Sequence, residues 1–193
     1  MTEDNAFARL VSLACHDLRT PLATVHGFAT TLTRGGGLEP PADRYVEMID
    51  AASAQLAELI DELSLAARIE SGRYDPMSRE ASTLDLAHAA AERLGEERVH
   101  VAGSGAELET DTDAVERGLA ALFQSALRHG GLERVEVQVD GAEIRLSPVT
   151  ASSAPVVLGD DLRDLGAAVA VRLVRRLGGS VSVDGETVTI SFV

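Results

Sequence analysis

The chain contains no lysine and no tryptophan, and all 17 of its basic residues are arginine. Without lysine, mechanisms that need a Schiff-base amine or a P-loop lysine are excluded. The single cysteine, Cys15, cannot close an internal disulfide and supplies no metal cage by itself. No apolar run approaches the ~20 residues needed to cross a bilayer. The acidic start Thr2-Glu3-Asp4 is the wrong opening for a secretory signal, so the chain reads as cytoplasmic, with no membrane insertion. Basic stripes are absent as well: 31 acidic residues stand against 17 basic ones, a formal net charge of -14, with the excess in both halves. Nothing here neutralises phosphates along a strand, which excludes nucleic acid as the expected partner. What is present is a 193-residue chain, 45% hydrophobic and 25% charged, the balance of one large or two small folded domains.

The first part of the sequence carries a heptad pattern. Phe7, Val11, Ala14, Leu18, Pro21, Val25, Phe28 and Leu32 recur at alternating steps of four and three, which predicts a helix with an apolar seam. Arg34-Gly35-Gly36-Gly37-Leu38-Glu39-Pro40-Pro41 stops it. A second seam follows at Tyr45, Ile49, Ala52, Leu56, Leu59, Leu63 and Ala66. Two such helices form an antiparallel hairpin, which cannot bury both seams alone; pairing two hairpins in a homodimeric four-helix bundle would bury them. Ser71-Gly72-Arg73-Tyr74-Asp75-Pro76 reads as a linker, dividing a helical domain at 1–73 from a second domain at 74–193. Beyond it, short strand-like runs (Arg98–Ala102, Arg134–Asp140, Glu143–Ser147, Ser180–Val183, Thr187–Val193) alternate with helical stretches near 84–95, 112–129 and 164–177. The second domain is expected to be α+β, a sheet with helices packed on one face.

The residues with chemistry lie on the first helix, in His16-Asp17-Leu18-Arg19-Thr20-Pro21-Leu22. With Leu18 and Val25 at a and Pro21 at d, His16 falls at f, away from the seam, and is expected to be exposed. Thr20 is one turn along the same face, so both side chains can address one bound group. Asp17 is placed to orient the ring and stabilise its protonated form. Pro21 removes a backbone hydrogen bond to the carbonyl of Asp17 and would kink the helix there. Elsewhere the pattern is blander. His129 reads as a cation near a helix C-terminus. His26, His88 and His100 have no metal-ligand spacing to each other or to Cys15, Cys15 is expected on a flank of the bundle, and Glu58, Asp61 and Glu62 read as a solvated helix face.

The string His16 to Leu22 resembles the H-box of bacterial sensor histidine kinases, in which the histidine accepts a phosphoryl group. The resemblance continues in Leu63–Arg73, similar to the end of the family's second bundle helix, in Asp111–His129, similar to its N-box helix, and in Leu165–Val183, similar to its last helix and strand. It implies a dimeric four-helix bundle followed by a GHKL/HATPase-like α/β sandwich, with His16, Asp17 and Thr20 as the catalytic residues.

The departures from that family bear on function. Two N-box asparagines hold the nucleotide phosphates and Mg²⁺ in the family; the matching positions are Ala121 and Ser125. The adenine-reading Asp-x-Gly-x-Gly segment has no counterpart in residues 142–158, which contain neither Asp nor Gly. The Gly-x-Gly pair at the start of the last helix is Asp164-Leu165-Gly166, placing a carboxylate where an anion would bind. The second domain is thus expected to be degenerate: no cofactor-binding residues, no metal site, and ATP binding not expected. The resemblance then implies a histidine phosphotransferase, or a phosphatase using Asp17 and Thr20, that exchanges phosphate with response-regulator receiver domains carrying their own Mg²⁺, similar to dimeric phosphotransferases with decayed kinase domains. Two alternatives stand beside it: an active ATP-dependent kinase with a rebuilt site, its metal on Asp113, Asp160 or Asp161, and a non-catalytic adaptor.

Overall fold

The computed structural model describes residues 3–192 and divides into two compact units between Tyr74 and Asp75. The first unit is a helical hairpin of α1 (Glu3–Gly35) and α2 (Ala42–Glu70). Pro21 lies inside α1 without ending it, and the glycines and prolines expected to stop the helix fill the connection to α2.

The two helices meet along a stripe that the heptad pattern does not mark. The residues buried between them are small, Ala8, Cys15 and Ala29 on α1 and Ser53 and Ala67 on α2, and the half-buried Leu22 and Ile60 complete two stripes that repeat every seven residues. Small side chains at this spacing let two helices approach closely along one face of each. Cys15 is therefore 1% exposed within the hairpin, not on a flank of it. The seam residues are left outside. Leu18, Val25, Phe28, Leu32, Tyr45, Ile49, Leu56, Leu59 and Leu63 are all exposed, between 39% and 68% of their area. The side chain of Phe7, which begins the seam, lies outside those described.

The second unit contains β1 (Arg79–Ser82), α3 (Thr83–Glu92), β2 (Val99–Gly105), β3 (Glu107–Thr110), α4 (Thr112–Gly130), β4 (Val135–Gly141), β5 (Glu143–Ser147), α5 (Ala154–Val157), α6 (Leu165–Arg176), β6 (Ser180–Asp184) and β7 (Thr187–Ser191). Five strands form a sheet in the order β2-β4-β5-β7-β6, with β2 parallel to β4 and the other neighbours antiparallel. Alternation builds the two faces. Val99, Val135, Val137, Val139, Ile144, Leu146, Val188 and Ile190 are buried, and they form one core with Leu86, Leu119, Leu122, Phe123 and Leu127 of the helices and with Val171 and Val174 of α6. The intervening His100, Glu136, Gln138 and Arg145 point to the opposite, more open face. The α+β architecture thus has its helices on one side of the sheet.

Three elements were not anticipated. β1 and β3 pair only with each other, antiparallel from Arg79–Thr110 to Ser82–Glu107. At four residues each, and rich in charge, they show no hydrophobic alternation to read. α5 is a single turn. β2 also runs past Ala102, because Gly103, Ser104 and Gly105 stay in register with Val139, Asp140 and Gly141.

Side chains fix the helix starts. Ser82 Oγ accepts the Leu84 N–H at the start of α3, Asp111 accepts the Ala114 N–H at α4, and Asp164 accepts the Ala167 N–H at α6, the usual answer to the orphan donors of a helix N-terminus.

Candidate functional site

His16, Asp17 and Thr20 are all exposed on α1. His16 and Thr20 share one surface: with Arg19, Ala23 and Thr24 they line an open depression of about 550 Å³. Asp17 is outside that lining. The helical repeat puts residues 16, 20, 23 and 24 on one side, and the buried stripe through Cys15 and Leu22 turns that side outward. Thr24 Oγ1 donates to the carbonyl of Thr20 at 3.2 Å, so the Thr24 hydroxyl is engaged by the backbone, while among the described residues no such bond ties the imidazole of His16 to its neighbours. An exposed imidazole in an open depression is sterically free to act as a nucleophile.

Arg19 belongs to this surface and was not singled out from the sequence. Its Nη2 and Nε lie 2.9 and 3.2 Å from Asp61 Oδ1 on α2, so Asp61 is a partner of the histidine-bearing helix and not simply a solvated acid. The two residues are far apart in sequence; only their positions on the facing edges of both helices bring them together. One arginine beside the histidine in a box of functional residues was the available signal. Further along the hairpin, His26 Nδ1 lies 3.1 Å from both Ser53 Oγ and Asp50 Oδ1, and Thr30 Oγ1 donates to Asp50 Oδ1 at 2.7 Å. That set holds the helices together.

In the second unit, the segments expected around a nucleotide are occupied by contacts of the protein with itself. Asp164 caps α6 through Oδ1 and reaches His129 Nε2 at 3.2 Å through Oδ2, with Arg128 3.9 Å away. Its side chain is only 10% exposed. His129 thus does more than sit at a helix end: it ties the end of α4 to the start of α6. Ser125 is fully buried, and its hydroxyl has no hydrogen-bond partner among the described residues. After β5 the chain closes on itself. Ser153 is buried, Thr150 N–H donates to Ser153 Oγ, Ser153 N–H donates to Thr150 Oγ1, and the Val149 N–H bonds the Glu186 carbonyl. Val149 and Val157 enter the common core. Among the described residues, no group of three or more His, Cys, Asp or Glu side chains could hold a metal ion, and no helix is long and apolar enough to cross a membrane.

Residues 8–72, the hairpin that carries His16, match the His Kinase A (phospho-acceptor) domain. The chain is similar to a HisKA-type histidine kinase core. The chain is 27% identical over 158 residues to an uncharacterised sensor-like histidine kinase of Rhizobium meliloti, covering 75% of this chain and 30% of the relative. It is 29% identical over 174 residues to the histidine protein kinase DivJ of Caulobacter vibrioides, covering 82% of this chain and 28% of that one. The chain thus spans less than a third of the length of these relatives. Among solved structures, it is similar in fold to full-length ShkA in complex with AMPPNP, at a TM-score of 0.69 and 20% identity over 94% of this chain and 44% of that one. It is also similar in fold to the Acinetobacter baumannii histidine kinase AdeS, at a TM-score of 0.57 and 17% identity, covering 92% and 98%.

Proposed function

We propose that this histidine kinase core is a phosphorelay component in which His16 accepts and donates phosphoryl groups with response-regulator receiver domains, without charging itself from ATP. A neutral imidazole nitrogen attacks the phosphorus of the receiver's aspartyl phosphate. A P–N bond forms, the P–O bond breaks, and the aspartate carboxylate leaves; the proton on the other ring nitrogen passes to Asp17 or to water. Reversal on a second receiver discharges the histidine. Mg²⁺ for both steps belongs to the receivers. Thr20, one turn from His16 in the same depression, is placed to direct water at a docked aspartyl phosphate, which gives the same surface a phosphatase activity.

The observation that carries the reading is Asp164. The start of the last helix is where an anionic ligand would gain from unpaired N–H groups and the helix dipole. Here a carboxylate of the protein already takes an N–H, and His129 binds its other oxygen. A nucleotide phosphate arriving there would meet a like charge. The N-box position Ser125 offers a buried hydroxyl in place of an amide, and the turn at 150–153 spends its polar groups on itself. These residues do not fit a metal–nucleotide complex.

The exposed apolar seam supports a homodimer. Two hairpins pairing through Leu18, Val25, Leu56 and Leu59 remove from water a surface too extensive for a free hairpin to expose, and leave the His16 depression on the outside for a receiver.

A second reading, an ATP-dependent histidine kinase, is favoured by the relatives' names and by the AMPPNP of the ShkA structure. One experiment separates the two. The purified chain is incubated with labelled ATP and Mg²⁺, and in parallel with a labelled phospho-receiver. The proposal expects label on His16 only from the receiver, and none after His16→Ala; rapid labelling from ATP alone overturns it.

A further inference from the structure

We infer that Arg19 is the cation that receives the phosphoryl group at His16, and that Asp61 holds it in reserve until that group arrives. The inference rests on the phosphoryl-accepting reading of His16 and adds what recognises the group.

A phosphoryl group on an imidazole carries close to two negative charges, and the chain that must hold it is strongly acidic, at -14. Something in the depression has to neutralise it. Of the residues that line it, His16, Arg19, Thr20, Ala23 and Thr24, only Arg19 is a permanent cation. It stands three residues from His16, on an adjoining part of the helix surface, and the other arginines of α1, Arg9 and Arg34, are several residues to more than four turns away. A guanidinium also matches phosphate geometry with parallel N–H donors, which a lysine would not.

In the free protein that guanidinium is turned to α2. Both contacting nitrogens, Nη2 and Nε, use a single oxygen, Asp61 Oδ1. The pair is open to water, with side chains 46% and 52% exposed, so little holds it against a stronger anion. A dianionic phosphoryl group within reach is such an anion. When it forms on His16, Arg19 exchanges Asp61 for the phosphoryl oxygens, and Asp61 is released. One substitution on α2 then changes a reaction on α1, a coupling that a purely structural salt bridge does not produce.

The test uses phosphoramidate, a small donor that needs no partner protein. Ammonia leaves as the P–N bond of the donor breaks and the imidazole bond forms, with the ring proton passing to the amine. Phosphohistidine on the full chain is followed with time for the wild type, Arg19→Ala, Arg19→Lys, Asp61→Asn and the Arg19→Ala/Asp61→Asn double variant, with far-ultraviolet circular dichroism to check the fold. Charging is expected to slow at least tenfold in Arg19→Ala, to recover in part in Arg19→Lys, and to rise severalfold in Asp61→Asn. The double variant is expected to match Arg19→Ala, since Asp61 acts through the arginine. No charging of the wild type, an Arg19→Ala rate within twofold of it, or slower charging in Asp61→Asn overturns the inference. Charging that depends on Arg19, together with no transfer from any phospho-receiver, would leave this inference standing and sink the relay reading.

Discussion

Asp164 and His129 lie 3.2 Å apart on different helices, and the same carboxylate caps α6 by accepting the Ala167 N–H. One side chain therefore does two things, satisfying a helix terminus and joining α4 to α6. Because it is nearly buried, neither bond is easily replaced by water. Asp164→Ala removes both and is expected to lower unfolding stability by about 1–2 kcal/mol, the usual worth of a lost N-cap with some added for the bridge. Asp164→Asn keeps an oxygen for the cap and gives up only the charge, so it should lose less. Urea unfolding of the three proteins ranks them. Equal losses for both variants would mean that the charge, not the cap, is what matters.

Ser125 makes the opposite prediction. Its hydroxyl is enclosed and unpartnered, and a buried polar group without a hydrogen bond costs about 1–3 kcal/mol. Ser125→Ala deletes that group and leaves almost no cavity, so unfolding stability is expected to rise by about 1 kcal/mol, with labelling of His16 by a phospho-receiver unchanged. If Ser125 instead ligated a metal or nucleotide phosphate, the alanine variant would lose a ligand-dependent shift in melting temperature that the wild type shows on adding Mg²⁺–ATP. Differential scanning fluorimetry with and without the nucleotide distinguishes the two.

How much of this was legible in the sequence depended on the length scale of the signal. The two hairpin helices, the break between them and the outward placement of His16 followed from a period repeated over many residues and from glycine and proline at the break. The five strands of the main sheet followed from alternation such as Val135-Glu136-Val137-Gln138-Val139. The stripe that joins α1 to α2 did not, because Ala8, Cys15, Ala29, Ser53 and Ala67 carry too little hydrophobicity to register beside the leucines of the seam. Arg19 and Asp61 could not be paired before their helices were docked. Asp164 was visible as a departure from the family, but its repulsion of an anion was weighed without its service as a cap, although Asp three residues ahead of Ala167 is an ordinary N-cap arrangement. His129, the partner that makes the carboxylate doubly bound, is remote in sequence.

Thr83 marks the junction that holds the small β1–β3 sheet to the main one. It is fully buried; its Oγ1 donates to the Gly141 carbonyl at 2.6 Å and accepts the Ala106 N–H at 3.0 Å, while its own N–H bonds the Ala106 carbonyl. Thr83→Val preserves shape and removes the hydroxyl, so the Ala106 N–H and the Gly141 carbonyl keep their own 3.2 Å bond to each other but lose the buried group that bonds both. A loss of about 1 kcal/mol is expected in chemical denaturation, the net worth of the lost hydrogen bonding, with the largest rise in amide exchange at Ala106. Thr83→Ser should recover most of it, because the hydroxyl returns and only a methyl is missing. A valine variant as stable as wild type would show that the junction is held by packing alone.

The exposed seam predicts the assembly state. Leu56 and Leu59 stand on α2 at 51% and 47% exposure, on the face that neither α1 nor the turn at 36–41 covers. In a homodimer each substitution is counted twice, and burial of a leucine is worth about 1.5–3 kcal/mol. Leu59→Glu replaces that gain by the cost of a buried carboxylate, so dissociation of the pair should shift by at least a hundredfold in concentration. Size-exclusion chromatography with light scattering is expected to give a dimer mass for the wild type and a monomer mass for Leu59→Glu at the same loading. Leu162→Glu serves as the control: Leu162 is 70% exposed and lies in the second unit, so its substitution removes an exposed apolar side chain of the same size without touching the seam, and the dimer mass should persist. A wild type that elutes as a monomer at every concentration would remove the seam from the account and leave its leucines without an explanation.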